Sequence, residues 1–135
     1  MDKIRRIFGL GLCLGLLCFL YGCSLGAAEP PMTGVWSTVY EYGDISFTVD
    51  PTRTMLTEMN YSVEVTPKCN PNLISGSMTL RNKGTFDPGL MIENNQFQFE
   101  DQSIKLEGKF SKSGTSVSGS WEFGTCKGKW EASRE

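Results

Sequence analysis

The chain has 135 residues, with 13 Lys and Arg against 15 Asp and Glu, five cysteines and no histidine. That length is enough for one domain around a single packed core. The missing histidine excludes Ser-His and Cys-His nucleophile pairs, His-rich zinc sites and the commonest acid–base side chain, and a net charge of −2 lacks the basic surplus that a nucleic-acid backbone demands.

The first element is apolar. Lys3, Arg5 and Arg6 form a basic start, and the 16 residues from Ile7 to Gly22 carry no charge. A basic start, a short apolar run and then small residues is the layout of a secretory signal peptide. The run falls short of the ~20 residues of a spanning helix, although the uncharged stretch Ile7–Ala28, 22 residues long, has the length of an uncleaved anchor. Two cut sites compete. Gly26 and Ala28 suit an ordinary signal peptidase, which would leave Glu29 first. "LYGC", Leu20 to Cys23, resembles the bacterial lipobox, in which a small residue precedes a cysteine that is lipidated and becomes the new N-terminus. Leu20, Gly22 and Cys23 match it, and Tyr21 stands where the pattern has a small residue. The resemblance implies a lipoprotein-type signal peptide over residues 1–22, a lipid on Cys23, a flexible tether over 23–32 and a domain over 33–135. Ser24 in place of Asp implies the outer membrane where a cell has one. Cleavage before Cys23 removes Asp2, Lys3, Arg5 and Arg6 and leaves a net charge of −4.

The rest of the chain has the period of strands. Ile45, Phe47 and Val49 alternate with Ser46, Thr48 and Asp50, and Tyr61, Val63 and Val65 alternate with Ser62, Glu64 and Thr66. Such alternation predicts strands with one face on a core and one in water. Thr54–Asn60, with Met55 and Met59 one helical turn apart, reads as an extended strand or a bend. Met78 and Leu80 mark a shorter strand, and Phe97 and Phe99 another. Pro51, Asn70-Pro71, Lys83-Gly84, Asp87-Pro88-Gly89, Asn94-Asn95 and Ser113-Gly114 read as turns.

The C-terminal third predicts a three-strand meander. Ile104, Leu106, Gly108 and Phe110 share one face; Val117, Gly119, Trp121 and Phe123 share the next; Cys126, Gly128, Trp130 and Ala132 share the last. The three inward glycines are expected to make room for Trp121 and Trp130 or to bend the strands. Lys105, Lys109, Lys127 and Lys129 face outward, and Glu107 and Glu131 between them predict a cross-strand charge ladder. Beyond Cys23, the domain holds Cys69 and Cys126. An even pair in an exported chain predicts a disulfide, and a thiolate metal site would want further ligands.

"FEDQSIKLEGKFSKSGTSVSGSWEFGTCKGKWEASR" resembles the C-terminal half of a small β-sandwich module of exported bacterial proteins. Phe99, Ile104, Gly108, Phe110, Gly114, Gly119, Cys126, Trp130, Ala132 and Arg134 carry the likeness, and "ISFTVD" with Cys69 resembles its first core strand and first cysteine. This implies an antiparallel β-sandwich and an exported location, and no activity. A second resemblance, to lipocalin and calycin barrels, rests on Gly34-Val35-Trp36 and Arg134 and implies a small barrel carrying an apolar ligand.

The expected protein is therefore all-β, an antiparallel sandwich of about seven to nine strands behind an apolar signal segment. Its expected role is non-catalytic: a lipid-anchored binding or structural module of the cell envelope. The partners expected are the membrane and an envelope protein or glycan, with no nucleic acid, metal or cofactor. Two surfaces stand out, the aromatic Trp36, Tyr40 and Tyr42, and the loop expected from Asn82 to Gly89. The runner-up role is a lipocalin-like carrier. A hydrolase would need two facing acids from among Glu41, Asp44, Glu93, Glu100 and Asp101.

Overall fold

The computed structural model describes residues 26–40, 43–73, 75–101 and 104–135. The signal segment 1–22, Cys23, Glu41 and Tyr42 lie outside the described residues. Eight strands follow one another: β1 (Gly34–Tyr40), β2 (Gly43–Val49), β3 (Met55–Val65), β4 (Met78–Met91), β5 (Gln96–Asp101), β6 (Ile104–Phe110), β7 (Ser116–Phe123) and β8 (Cys126–Arg134). All pairings are antiparallel, and the described residues contain no helix.

The class and strand number are those the sequence implies, and the strands belong to one sheet in the order β4-β3-β2-β1-β8-β7-β6-β5. β1 pairs with β2 along its length and with β8 at Trp36–Arg134 and Ser37–Ser133. The sheet thereby curls until β1–β4 face β5–β8, and these halves are the two layers expected of a sandwich. The result is nearly a closed barrel. Only β4 and β5 lack a ladder between them: one rung at Glu93–Gln96 starts their hairpin, and the strands then diverge. Asn94 and Asn95, at φ 52° and 58°, make that turn with the two positive φ values that a tight hairpin requires.

Alternation places the core. In β2 from Ile45, in β3 from Met59 and throughout β6 every second residue is buried, because a pleat sends successive side chains to opposite faces. Phe47 sits at the centre, with ring centroids 5.3 Å from Phe97, 6.1 Å from Trp36 and Phe110, and 6.2 Å from Trp130. Burying each such side chain contributes about 1.5–3 kcal/mol. These rings occupy the middle of the barrel.

Glycines admit them. Phe97, Gly108, Gly119 and Trp130 are successive partners across β5, β6, β7 and β8. A Cβ on Gly108 would lie 2.3 Å from the Phe97 ring, and one on Gly119 2.3 Å from that of Trp130. Gly128 does the same for Trp121, its partner on β7. Gly119 and Gly128 make room for tryptophan as expected, and Gly108 makes room for Phe97 instead.

Cys69 and Cys126 are bonded. The bond pins the 66–77 connection to the start of β8, helped by a hydrogen bond from the Thr125 hydroxyl to the Cys69 carbonyl. At the opposite end, part of the expected tether is docked. Glu29 N–H donates to the Lys112 carbonyl at 2.8 Å and Met32 N–H to that of Gly114 at 3.0 Å. The Arg53 guanidinium donates to the carbonyls of Pro30 and Pro31, and Pro31 is buried. Residues 29–32 thus close the barrel end at which β1 begins, because their backbone groups find partners there.

Two turn assignments are corrected. Lys83-Gly84 and Asp87-Pro88-Gly89 lie inside β4, which runs 14 residues beside β3. Phe86–Gly89 form a bulge, since the register shifts between Leu56 and Glu58. The Met55–Asn60 stretch is the start of β3, extended as expected.

Candidate functional site

The aromatic surface expected at Trp36, Tyr40 and Tyr42 is not formed by Trp36. Its side chain is 0 % exposed, and its indole N–H donates to the Met32 carbonyl at 3.0 Å. It is a core residue covered by the docked N-terminal segment. Tyr40 is partly buried, and burial, with the Asp44 charge second, pushes its hydroxyl up to about 12. Tyr42 lies outside the described residues.

The expected loop from Asn82 to Gly89 is strand, yet it lines a site. Along β4, Met78, Leu80, Asn82, Gly84 and Phe86 are the half-buried positions, alternating with exposed neighbours. Along β5, Phe97, Phe99 and Asp101 hold the same phase. Asn82 and Asp101 are therefore polar side chains at inward positions, one on each edge of the undivided seam.

They meet. Asp101 Oδ2 accepts a hydrogen bond from Asn82 Nδ2 and a long one, 3.4 Å, from the Tyr61 hydroxyl. Tyr61 is only 6 % exposed. Burial first, and then the Asp101 charge, raise its pKa above the usual phenol range, so it stays a donor at neutral pH. Phe86 and Phe99 stand beside this trio with centroids 5.5 Å apart and planes at 62°, and Tyr61 and Phe99 are 6.0 Å apart.

Two small cavities flank Asp101. One, about 220 Å3, is lined by Met59, Tyr61, Asn82, Gly84, Phe86, Phe99, Glu100 and Asp101. The other, about 160 Å3, is bounded by Tyr61, Leu80, Arg81, Asn82, Asp101, Ile104 and Phe123. A larger concavity, about 1020 Å3, lies on the outer face of β5–β8 and reaches the end of β4. Glu107, Lys109, Lys129 and Glu131 line it, so its charge is mixed. Lys105 and Glu107 are joined at 2.7 Å within β6, and a charge ladder runs in register through Glu100, Lys105, Glu122 and Lys127 across β5–β8; Glu107 and Glu131, expected to build it, stand opposite Ser120 and Ser118 instead. Size favours the outer face; chemistry favours the seam.

Among the described residues, the candidate acids are not paired across a cleft. Glu100 and Asp101 are neighbours on β5 and point to opposite faces, and Asp44 and Glu93 are exposed. No group of three or more His, Cys, Asp or Glu side chains among the described residues is placed to hold a metal ion. Comparison with known proteins found no matching family model, no similar curated protein and no similar solved structure.

Proposed function

We propose that this chain is an exported lipoprotein of a bacterial-type cell envelope, anchored through Cys23, whose β domain is a non-catalytic binding module acting at the β4–β5 seam. One observation carries the binding reading: the seam is where inward side chains of both chemistries, the Asp101–Asn82–Tyr61 trio and the Phe86–Phe99 corner, border open volume. Elsewhere the interior is filled by Phe47, Phe97, Phe110 and Trp130. A carboxylate with a phenol and an amide holds or orients a ligand; hydrolysis would ask for a second acid facing the first.

The anchor rests on the lipobox resemblance. Docking of Glu29 leaves five residues, Ser24–Ala28, between Cys23 and the barrel end. The six residue steps from Cys23 to Glu29 reach no more than about 22 Å at full extension, so a lipid on Cys23 would keep that end near the bilayer surface. Intact mass of the mature protein and fractionation of a Cys23→Ala variant test this. The expected mass is that of a chain starting at acylated Cys23, with the variant released from membranes. A chain starting at Glu29 without acyl mass, or one keeping Met1, contradicts it.

The second reading is a lipocalin-like carrier of an apolar ligand. It is favoured by the closure of β1 on β8, with Trp36 opposite Arg134 and the Arg134 side chain beside Gly34. It would require the Phe47 cluster to give way.

A further inference from the structure

We infer that the larger seam cavity binds a small organic cation, an alkylammonium ion of about choline's size; the inference rests on the seam being the binding site. The cavity has walls of two kinds. Phe86, Phe99 and Tyr61 offer rings set at steep angles to one another, 62° and 58°, so that a guest lying against them meets more than one π system. Asp101 supplies the charge, the Glu100 side chain points to the opposite face, and no Lys or Arg is among the described residues lining this cavity.

Each ligand class meets these walls differently. An anion would approach the Asp101 carboxylate and no cation. A neutral apolar guest would cover the Asp101 carboxylate without pairing it, and leaving a buried charge unpaired is costly. A hard metal ion wants six or more oxygens, and the rings cannot replace its water. An alkylammonium ion satisfies both walls at once: its positive charge is drawn to ring faces within about 6 Å and to Asp101, while its methyl or methylene groups cover the apolar surface of Met59 and Phe86. Asp101 Oδ2 is already engaged by Asn82 and Tyr61. These bonds hold the carboxylate in place, and Oδ1 takes no hydrogen bond from the described residues. The volume of about 220 Å3 is room for about seven water-sized atoms, the scale of choline.

The test titrates choline, and in parallel its uncharged isostere 3,3-dimethyl-1-butanol, into the full chain in a maltoside detergent, read by amide chemical shifts and by calorimetry. Choline is expected to shift Tyr61, Gly84, Phe86, Phe99 and Asp101 and to bind at least about tenfold tighter than the isostere, the factor of one charge–ring and charge–carboxylate contact in a half-buried site. Asp101→Asn should bring choline to the isostere's level. Gly84→Ala gives a second handle: a Cβ there meets nothing within 4 Å, so the fold tolerates it while the cavity loses a methyl's volume, and choline should weaken severalfold. Equal affinity for the two probes overturns the cation and leaves binding at the seam intact. No seam shift with choline up to about 10 mM, a limit that reads any useful affinity, overturns the site.

Discussion

Phe97 and Trp130 meet over two glycines. They stand at the ends of one cross-strand row, Phe97–Gly108–Gly119–Trp130, and their ring centroids are 6.2 Å apart. On a flat sheet, residues three strands apart would be separated by about three strand spacings of 4.8 Å each. The missing side chains of Gly108 and Gly119 let both rings lie down along the row, and the curl of the sheet brings them together. The aromatic interior of the barrel and the glycines of its wall are thus one feature.

Gly119→Ala should be among the most destabilising small substitutions in the domain. Its Cβ would lie 2.0 Å from the Glu107 carbonyl oxygen as well as 2.3 Å from the Trp130 ring. Overpacking of this kind costs about 1–3 kcal/mol, and a backbone oxygen has less freedom to yield than a ring. For Gly108→Ala the nearest atoms are those of the Phe97 ring, and it should cost less. Urea unfolding followed by tryptophan fluorescence checks the order; a Gly119→Ala midpoint equal to wild type contradicts the packing described.

Removing the Cys69–Cys126 bond by a double alanine substitution should cost about 4 kcal/mol, from the chain-entropy relation applied to a separation of 57 residues. Denaturant midpoints with and without the bond measure it. Faster amide exchange should appear first in the 66–77 connection, which the bond holds to β8, rather than in β6 and β7.

Asp50 gives the domain an acid limit. Its burial opposes ionisation, but the Thr52 hydroxyl and the backbone N–H groups of Thr52, Met55 and Thr54 outweigh it and hold the carboxyl below the usual Asp range. A group with a depressed folded pKa contributes stability above its unfolded value, near 3.9, and loses it as pH falls through the folded value. Stability should therefore drop below about pH 4. Asp50→Asn should be less stable than wild type at pH 7, with the gap closing at low pH. Thermal melts from pH 2 to 7 check this, and a gap independent of pH would contradict it.

The strands facing the closed core were legible because their inward phase is unbroken: Ile45, Phe47 and Val49 in β2, and Ile104, Leu106 and Phe110 in β6. β4 was not, because Asn82 and Gly84 hold inward positions and Asp87-Pro88-Gly89 has the composition of a turn while forming a bulge. The cause is the seam. Where no strand covers the edge, water reaches inward side chains, and polar or missing side chains are tolerated. A polar residue in phase with apolar ones, such as Asp101 after Phe97 and Phe99, was the available sign of the site. Trp36 carried the opposite ambiguity, since an aromatic next to an N-terminal segment serves equally as core or surface, and the docking of residues 29–32 decides it.

Binding at the seam is tested most directly by mapping amide chemical shifts while a fragment library containing cationic, neutral and anionic members is titrated into the full chain. The fragments that bind are expected to shift amides around Tyr61, Asn82, Gly84, Phe86, Phe99 and Asp101, and Asp101→Asn to diminish those shifts. Shifts gathered instead on Phe47, Phe110 and Trp130 would place the ligand inside the barrel and contradict it.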